Sequence, residues 1–107
     1  MTRRILIDDI RRFKDVFGLD YQPLEDDTEV VARNYDSGVA LLATNSWDEL
    51  YLDHDLGDHS KTGYDVMCWL EEHPDRLPPK VFFVSANPVG VQRMQQVLEA
   101  IQKKGET

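Results

Sequence analysis

The sequence predicts an open α/β fold: a parallel sheet of four strands in the order 2-1-3-4, with helices on both faces. Three observations lead there. Short apolar runs around Ile5, Val30, Leu50 and Val81 alternate with segments whose apolar residues recur every three or four positions. That alternation calls for right-handed crossovers between parallel strands. The runs at Ile5, Leu50 and Val81 also end in polar residues: Asp8-Asp9, Asp53-His54-Asp55 and Ser85-Ala86-Asn87. Open α/β sheets keep their sites at the carboxyl ends of strands, and the order 2-1-3-4 sets those three ends side by side.

The first strand is expected over about residues 3 to 8, around Ile5-Leu6-Ile7. Ile10, Phe13 and Phe17 then fall at helical spacing among charged residues, predicting a helix over about 10 to 17 that Gly18 ends. Residues 19 to 28 hold a proline and an acidic run without a period, the mark of an irregular connection. Val30-Val31-Ala32 is the second strand, and Asn34 or Asp36 caps a helix carrying Val39, Leu41 and Leu42, slightly weakened by Gly38. Residues 50 to 52 form the third strand, followed by a polar loop over 57 to 63 with two glycines. Tyr64, Met67 and Leu70, flanked by Val66 and Trp69, trace a third helix that ends near His73-Pro74. Val81-Phe82-Phe83-Val84 is the fourth strand. Asn87 suits the N-cap and Pro88 the first turn of a last helix, whose inner face is Val91, Met94, Val97, Leu98 and Ile101 and which frays over 103 to 107. Met67, Trp69, Phe82 and Phe83 fit core positions.

A chain of 107 residues with one hydrophobic pattern predicts a single domain over 1 to 107, able to close a modest core. The lone Cys68 cannot form an internal disulfide, and it reads as a small hydrophobe rather than a nucleophile. No apolar run approaches a membrane span, and Met1-Thr2-Arg3-Arg4 leads into a strand, so a soluble cytoplasmic protein is expected. A formal charge of −8 opposes extended contact with a polyphosphate backbone. A small anionic ligand stays compatible with that charge when a divalent cation first neutralises an acidic pocket.

Ile5-Leu6-Ile7-Asp8-Asp9, Glu29-Val30-Val31-Ala32, the stretch from Asp48 to Asp53, and Ser85-Ala86 after an apolar strand occur in this order between about residues 3 and 100. Together they resemble the flavodoxin-like receiver domain of two-component response regulators. The resemblance implies that Asp8 and Asp9, with Asp53, hold Mg²⁺ or Mn²⁺, that Asp53 is the phosphoacceptor, and that the Ser85 hydroxyl contacts the phosphoryl group. The sequence departs from the family after Asp53, where His54-Asp55-Leu56-Gly57 stand in place of an apolar residue and a nearby proline. It also carries no fifth strand ending in the lysine that receivers pair with phosphate. The combination of Leu52-Asp53-His54-Asp55-Leu56-Gly57 with Ser85-Ala86-Asn87-Pro88-Val89-Gly90 is similar to a divergent branch, the cyclic-phosphate-processing receiver-like domains of phages and bacteria. That resemblance implies binding or hydrolysis of cyclic phosphates on RNA ends or nucleotides.

Four acids around one crevice repel one another unless protons or a cation intervene, and oxygen donors favour Mg²⁺ or Mn²⁺ over zinc. The alternative is that Asp9 and Asp55 face solvent and Asp8 caps the first helix. The catalytic candidates are Asp53, His54 and Asp55. His54 serves as general acid or base if the chain turns directly after Asp53; otherwise it is a surface or hydrogen-bonded histidine. Ser85, Asn87 and Lys61 are the phosphate-contact candidates, with helix capping the alternative for the first two and plain solvation for Lys61. His59 is a weaker second base or ligand, a His54-His59 zinc site lacks the usual spacing, and His73 suits a helix C-terminus. In the enzymatic expectation the cation polarises a phosphoryl oxygen and activates water while His54 moves protons. The rival expectations are a stand-alone atypical receiver phosphorylated on Asp53, and a non-enzymatic protein that binds a partner through its acidic surface.

Overall fold

In the computed structural model, which describes residues 1–57 and 60–105, four parallel strands carry the core. They are β1 (Arg3–Ile7), β2 (Thr28–Ala32), β3 (Glu49–Leu52) and β4 (Lys80–Phe83), in the order β2-β1-β3-β4. Between and after them run α1 (Phe13–Phe17), α2 (Tyr35–Thr44), α3 (Gly63–Glu72) and α4 (Pro88–Gly105), with a short 3-10 turn at Pro74–Arg76 that the sequence did not announce. The expected strand order and alternation are both present. His59, the weaker base or ligand candidate, lies outside the described residues.

Alternation along the strands divides the core into two unequal parts. Ile5, Ile7, Leu50 and Leu52 face α2, α3 and α4, and pack with Leu42, Val66, Met67, Leu70, Met94, Leu98 and Ile101. Leu6 and Tyr51 point the other way, where Phe13 of α1 covers them beside Val16, Tyr21, Val31 and Val84. That second face is thin because α1 has only five residues. Phe82 was expected in the core, but it is 43% exposed. Its ring stacks on Tyr51 at 4.9 Å, on the face that the short α1 does not reach across.

The α1 helix also begins three residues later than its apolar spacing predicted. Ile10 is outside it and exposed, because the Asp8 carboxylate takes the backbone N–H groups of Ile10 and Arg11 and so shapes a turn rather than a helix. Arg12 then caps α1, its N–H donating to Asp15 Oδ2 at 2.8 Å. Asn34 caps α2 by accepting from Ser37 N–H at 2.9 Å. Gly38, read as a weakness, marks a tight contact: a Cβ there would sit 2.7 Å from Ile7 Cδ1. At the other end α4 does not fray at 103 but continues to Gly105.

The irregular connection over 19 to 28 is tied to the sheet by Arg4. Its Nη1 lies 3.0 Å from Asp27 Oδ2 and its Nε 2.8 Å from Glu49 Oε1. The Arg4 guanidinium holds the Asp27 carboxyl below the usual carboxylate range. The Tyr21 hydroxyl donates to Glu29, and burial together with that acceptor pushes it up to about 12. Among the described residues no helix is long and apolar enough to cross a membrane.

The unequal faces predict unequal costs of truncation. Leu50→Ala, at a site with no exposure, should lower unfolding free energy by about 2 to 5 kcal/mol. Phe82→Ala should cost about 1 to 2 kcal/mol because its ring already keeps much of its contact with water. Urea titration of both variants measures the difference.

Candidate metal and phosphate site

The ladder between β1 and β3 builds the site. Ile7 pairs with Leu52, so the next residues, Asp8 and Asp53, emerge at adjacent strand tips. Asp53 N–H donates to Ile7 C=O at 3.0 Å, and Asp8 N–H donates to Ala32 C=O at 3.0 Å, which extends the hydrogen-bonded ladder to both acids. Asp8 is fully buried and Asp53 5% exposed. With Asp9 they form a group whose carboxylate oxygens lie within 4.8 Å of one another. They line a cavity of about 320 Å³ together with Ile10, Arg11, Asp55 and Ala86. That volume suits a small phosphate ester.

Two unit charges at such a distance repel by about 3 to 4 kcal/mol at an effective dielectric near 20. Burial pushes the Asp53 carboxyl above its ordinary range, and the charge of Asp8 adds to the rise, while Ser85 and Arg11 pull in the opposite direction. A hard divalent cation answers this donor set, since three carboxylates offer oxygen ligands of the kind Mg²⁺ and Ca²⁺ take. One positive group already lies there. Arg11 Nη1 sits 3.0 Å from Asp8 Oδ2 and 3.5 Å from Asp53 Oδ2. Asp8 Oδ1 meanwhile accepts from the N–H groups of Ile10 at 2.9 Å and Arg11 at 3.0 Å. Asp8 thus shapes the turn ahead of α1 and lines the cavity, while the cap of α1 falls to Arg12 and not to Asp8 as the alternative reading expected. Arg33 fixes the same turn from outside, its Nη1 donating to Arg11 C=O at 2.7 Å and Asp8 C=O at 3.3 Å.

The remaining candidates divide. The Ser85 hydroxyl acts to lower the Asp53 carboxyl, and its Oγ accepts from Asn87 N–H at 3.0 Å. Asn87 caps α4, with Oδ1 accepting from Gly90 N–H at 3.0 Å. Asp55 is on the cavity rim with its side chain 67% exposed, outside the three-acid group. His54 is not among the cavity-lining residues; its Nδ1 is 3.1 Å from Asp55 Oδ1 and 3.5 Å from Asn87 Nδ2. Lys61 is elsewhere: its ammonium lies 5.3 Å from the centroid of the Tyr35 ring, where the loop ahead of α3 meets the start of α2. Among the described residues that line the cavity the basic one is Arg11, which is not among the phosphate-contact candidates read from the sequence. An acid followed by an arginine three positions on, Asp8 to Arg11, was the available signal.

Two glycines let the helices close on the site. A Cβ at Gly63 would stand 2.1 Å from the Asp53 carbonyl oxygen, and Gly63 N–H donates to His54 C=O at 2.8 Å, so α3 begins directly against the Asp53 backbone. A Cβ at Gly90 would stand 2.4 Å from His54 Cγ, so the imidazole packs against the first turn of α4.

The fold and the acidic strand tips define the class first. The chain is similar to a response regulator from Burkholderia pseudomallei solved with a phosphorylated aspartic acid, a calcium ion and citrate, at 19% identity and a TM-score of 0.63 over 91% of this chain. It spans 55% of the length of that protein. It is also similar to the MaeR response regulator bound to beryllium trifluoride, at 19% identity and a TM-score of 0.64, covering 92% of this chain and 79% of that one. These likenesses establish a receiver-like fold. A family model for the cyclic-phosphate processing receiver domain matches residues 3–100, and the chain belongs to that family. No curated protein matches it.

Two outcomes follow from the site's electrostatics and packing. A carboxyl raised in the folded state favours folding below its unfolded value near 4 and withdraws that stability as pH rises through the folded value. In chelator at neutral pH, Asp53→Asn should therefore melt above the wild type, and the gap should narrow on acidification; a lower melting temperature would contradict the repulsion. Gly90→Ala should cost about 1 to 3 kcal/mol by overpacking and shift the His54 ring resonances in NMR spectra. Unmoved His54 signals would rule out the contact.

Proposed function

We propose that this chain binds a cyclic phosphate beside a divalent cation held by Asp8, Asp9 and Asp53, and opens one of its P–O ester bonds with water. The observation that carries this reading is the gathering of those three carboxylates in one cavity of about 320 Å³. A bound Mg²⁺ or Mn²⁺ would supply Lewis-acid polarisation of a phosphoryl oxygen. The chain's own groups do the rest. Ser85 and Asn87, at the start of α4, orient phosphoryl oxygens with hydroxyl and amide donors. Asp55 on the rim, paired with His54, takes the proton of the attacking water and returns one to the departing ribose oxygen. One P–O bond forms, one breaks, and a phosphomonoester with a free hydroxyl results. The ligand is a small nucleotide or an RNA end in a reducing cytoplasm, because the charge of −8 disfavours a long nucleic-acid contact.

A second reading has its own support: Asp53 itself takes a phosphoryl group, as an aspartic acid does in the Burkholderia pseudomallei protein. Incubation with Mg²⁺ and a panel of 2′,3′-cyclic nucleotides and cyclic-ended RNAs separates the two. Our reading expects monoester product, reduced about a hundredfold or more in Asp53→Asn. Neither turnover nor saturable binding for any member would overturn it, and stable labelling of Asp53 by a small phosphodonor would favour the second.

A further inference from the structure

We propose that Arg11 is a tethered counter-cation of the acidic pocket, which a divalent ion displaces from Asp8 and Asp53 and which then becomes the pocket's contact for phosphoryl oxygens. The inference rests on the metal reading given above and adds a residue to it. The guanidinium reaches one oxygen of each acid, Asp8 Oδ2 and Asp53 Oδ2. Asp8 Oδ1 is already committed to two backbone N–H groups, so the oxygen that Asp8 would offer a cation is the Oδ2 that Arg11 holds. The two cations compete for one place.

The arginine is also built to leave that place without leaving the site. Its backbone is fixed on both sides, by Arg11 N–H to Asp8 Oδ1 and by Arg33 to Arg11 C=O. Its side chain is 32% exposed against 0% for Asp8, so the head group can swing while the main chain stays in place. Among the described residues lining the cavity, no other is basic. A guanidinium presents five N–H donors in a planar fork that matches phosphoryl oxygens, which an acidic cavity otherwise repels. Before the divalent ion arrives, the same charge offsets the mutual repulsion of the carboxylates.

Calorimetric titration of Mg²⁺ alone into the wild type and Arg11→Gln, followed by inorganic phosphate into each Mg²⁺-saturated protein, tests the proposal. Mg²⁺ should bind the variant about threefold or more tightly, since its rival is gone. Phosphate should bind the variant about tenfold more weakly. Arg11→Lys, which keeps the charge, should fall between on both counts and serves as the test should Arg11→Gln not fold. Equal or weaker Mg²⁺ binding by a folded variant would overturn the competition, and unchanged phosphate binding would overturn the second role. Absence of Mg²⁺ binding by the wild type would instead overturn the metal reading and this inference with it.

Discussion

The in-register pairing of β1 with β3 is the constraint on which the site depends. Because Ile7 stands opposite Leu52, two acids forty-five positions apart in sequence become neighbours, and the ladder hydrogen bond from Asp53 N–H to Ile7 C=O leaves neither strand tip room to drift. A slip of one residue would turn Asp53 to the opposite face of the sheet. The pairing carries an electrostatic cost, since buried like charges oppose folding, and the offset comes from the apolar packing directly beneath. Ile5, Ile7, Leu50 and Leu52 are all fully buried against α2, α3 and α4. The side of the sheet with the deeper core therefore holds the acids in place.

Position along the chain explains how other groups reach the same point. The start of α3 presses on the Asp53 carbonyl at Gly63, and the start of α4 presses on His54 at Gly90, so both crossover helices are referenced to the residues at the end of β3. Ser85 and Asn87 belong to the same junction: Ser85 Oγ accepts from the N–H of Asn87, which caps α4, and the hydroxyl also lowers the Asp53 carboxyl. Of this junction, Ala86 lines the cavity itself.

The sequence made the strands, their order and the three acids legible because each rests on a local signal: a short apolar run, an alternation of periods, a polar strand end. It was less informative where a side chain overrides its neighbours' periodicity. Ile10 looked like the first apolar position of a helix until the Asp8 carboxylate claimed its N–H. Phe82 looked like core because its run is apolar, yet burial depends on the length of α1 across the sheet, which no residue of β4 encodes. Gly38 looked like a flaw, and its contact with Ile7 is visible only once α2 lies on the sheet. Lys61 and Arg11 illustrate the same limit: Arg11 stands in sequence among the charged residues of an apparent first helix, whereas the turn after β1 directs it onto Asp8, and Lys61 lies over the Tyr35 ring.

The central claim is that Asp8, Asp9 and Asp53 share one cation. Anomalous diffraction from crystals grown with Mn²⁺ addresses it most directly. A single strong peak between the three carboxylates, with the Arg11 head group moved off Asp8, is the predicted result. A map with no peak there, or with manganese bound only at exposed acids such as Asp26 while Arg11 keeps its place, would contradict the account.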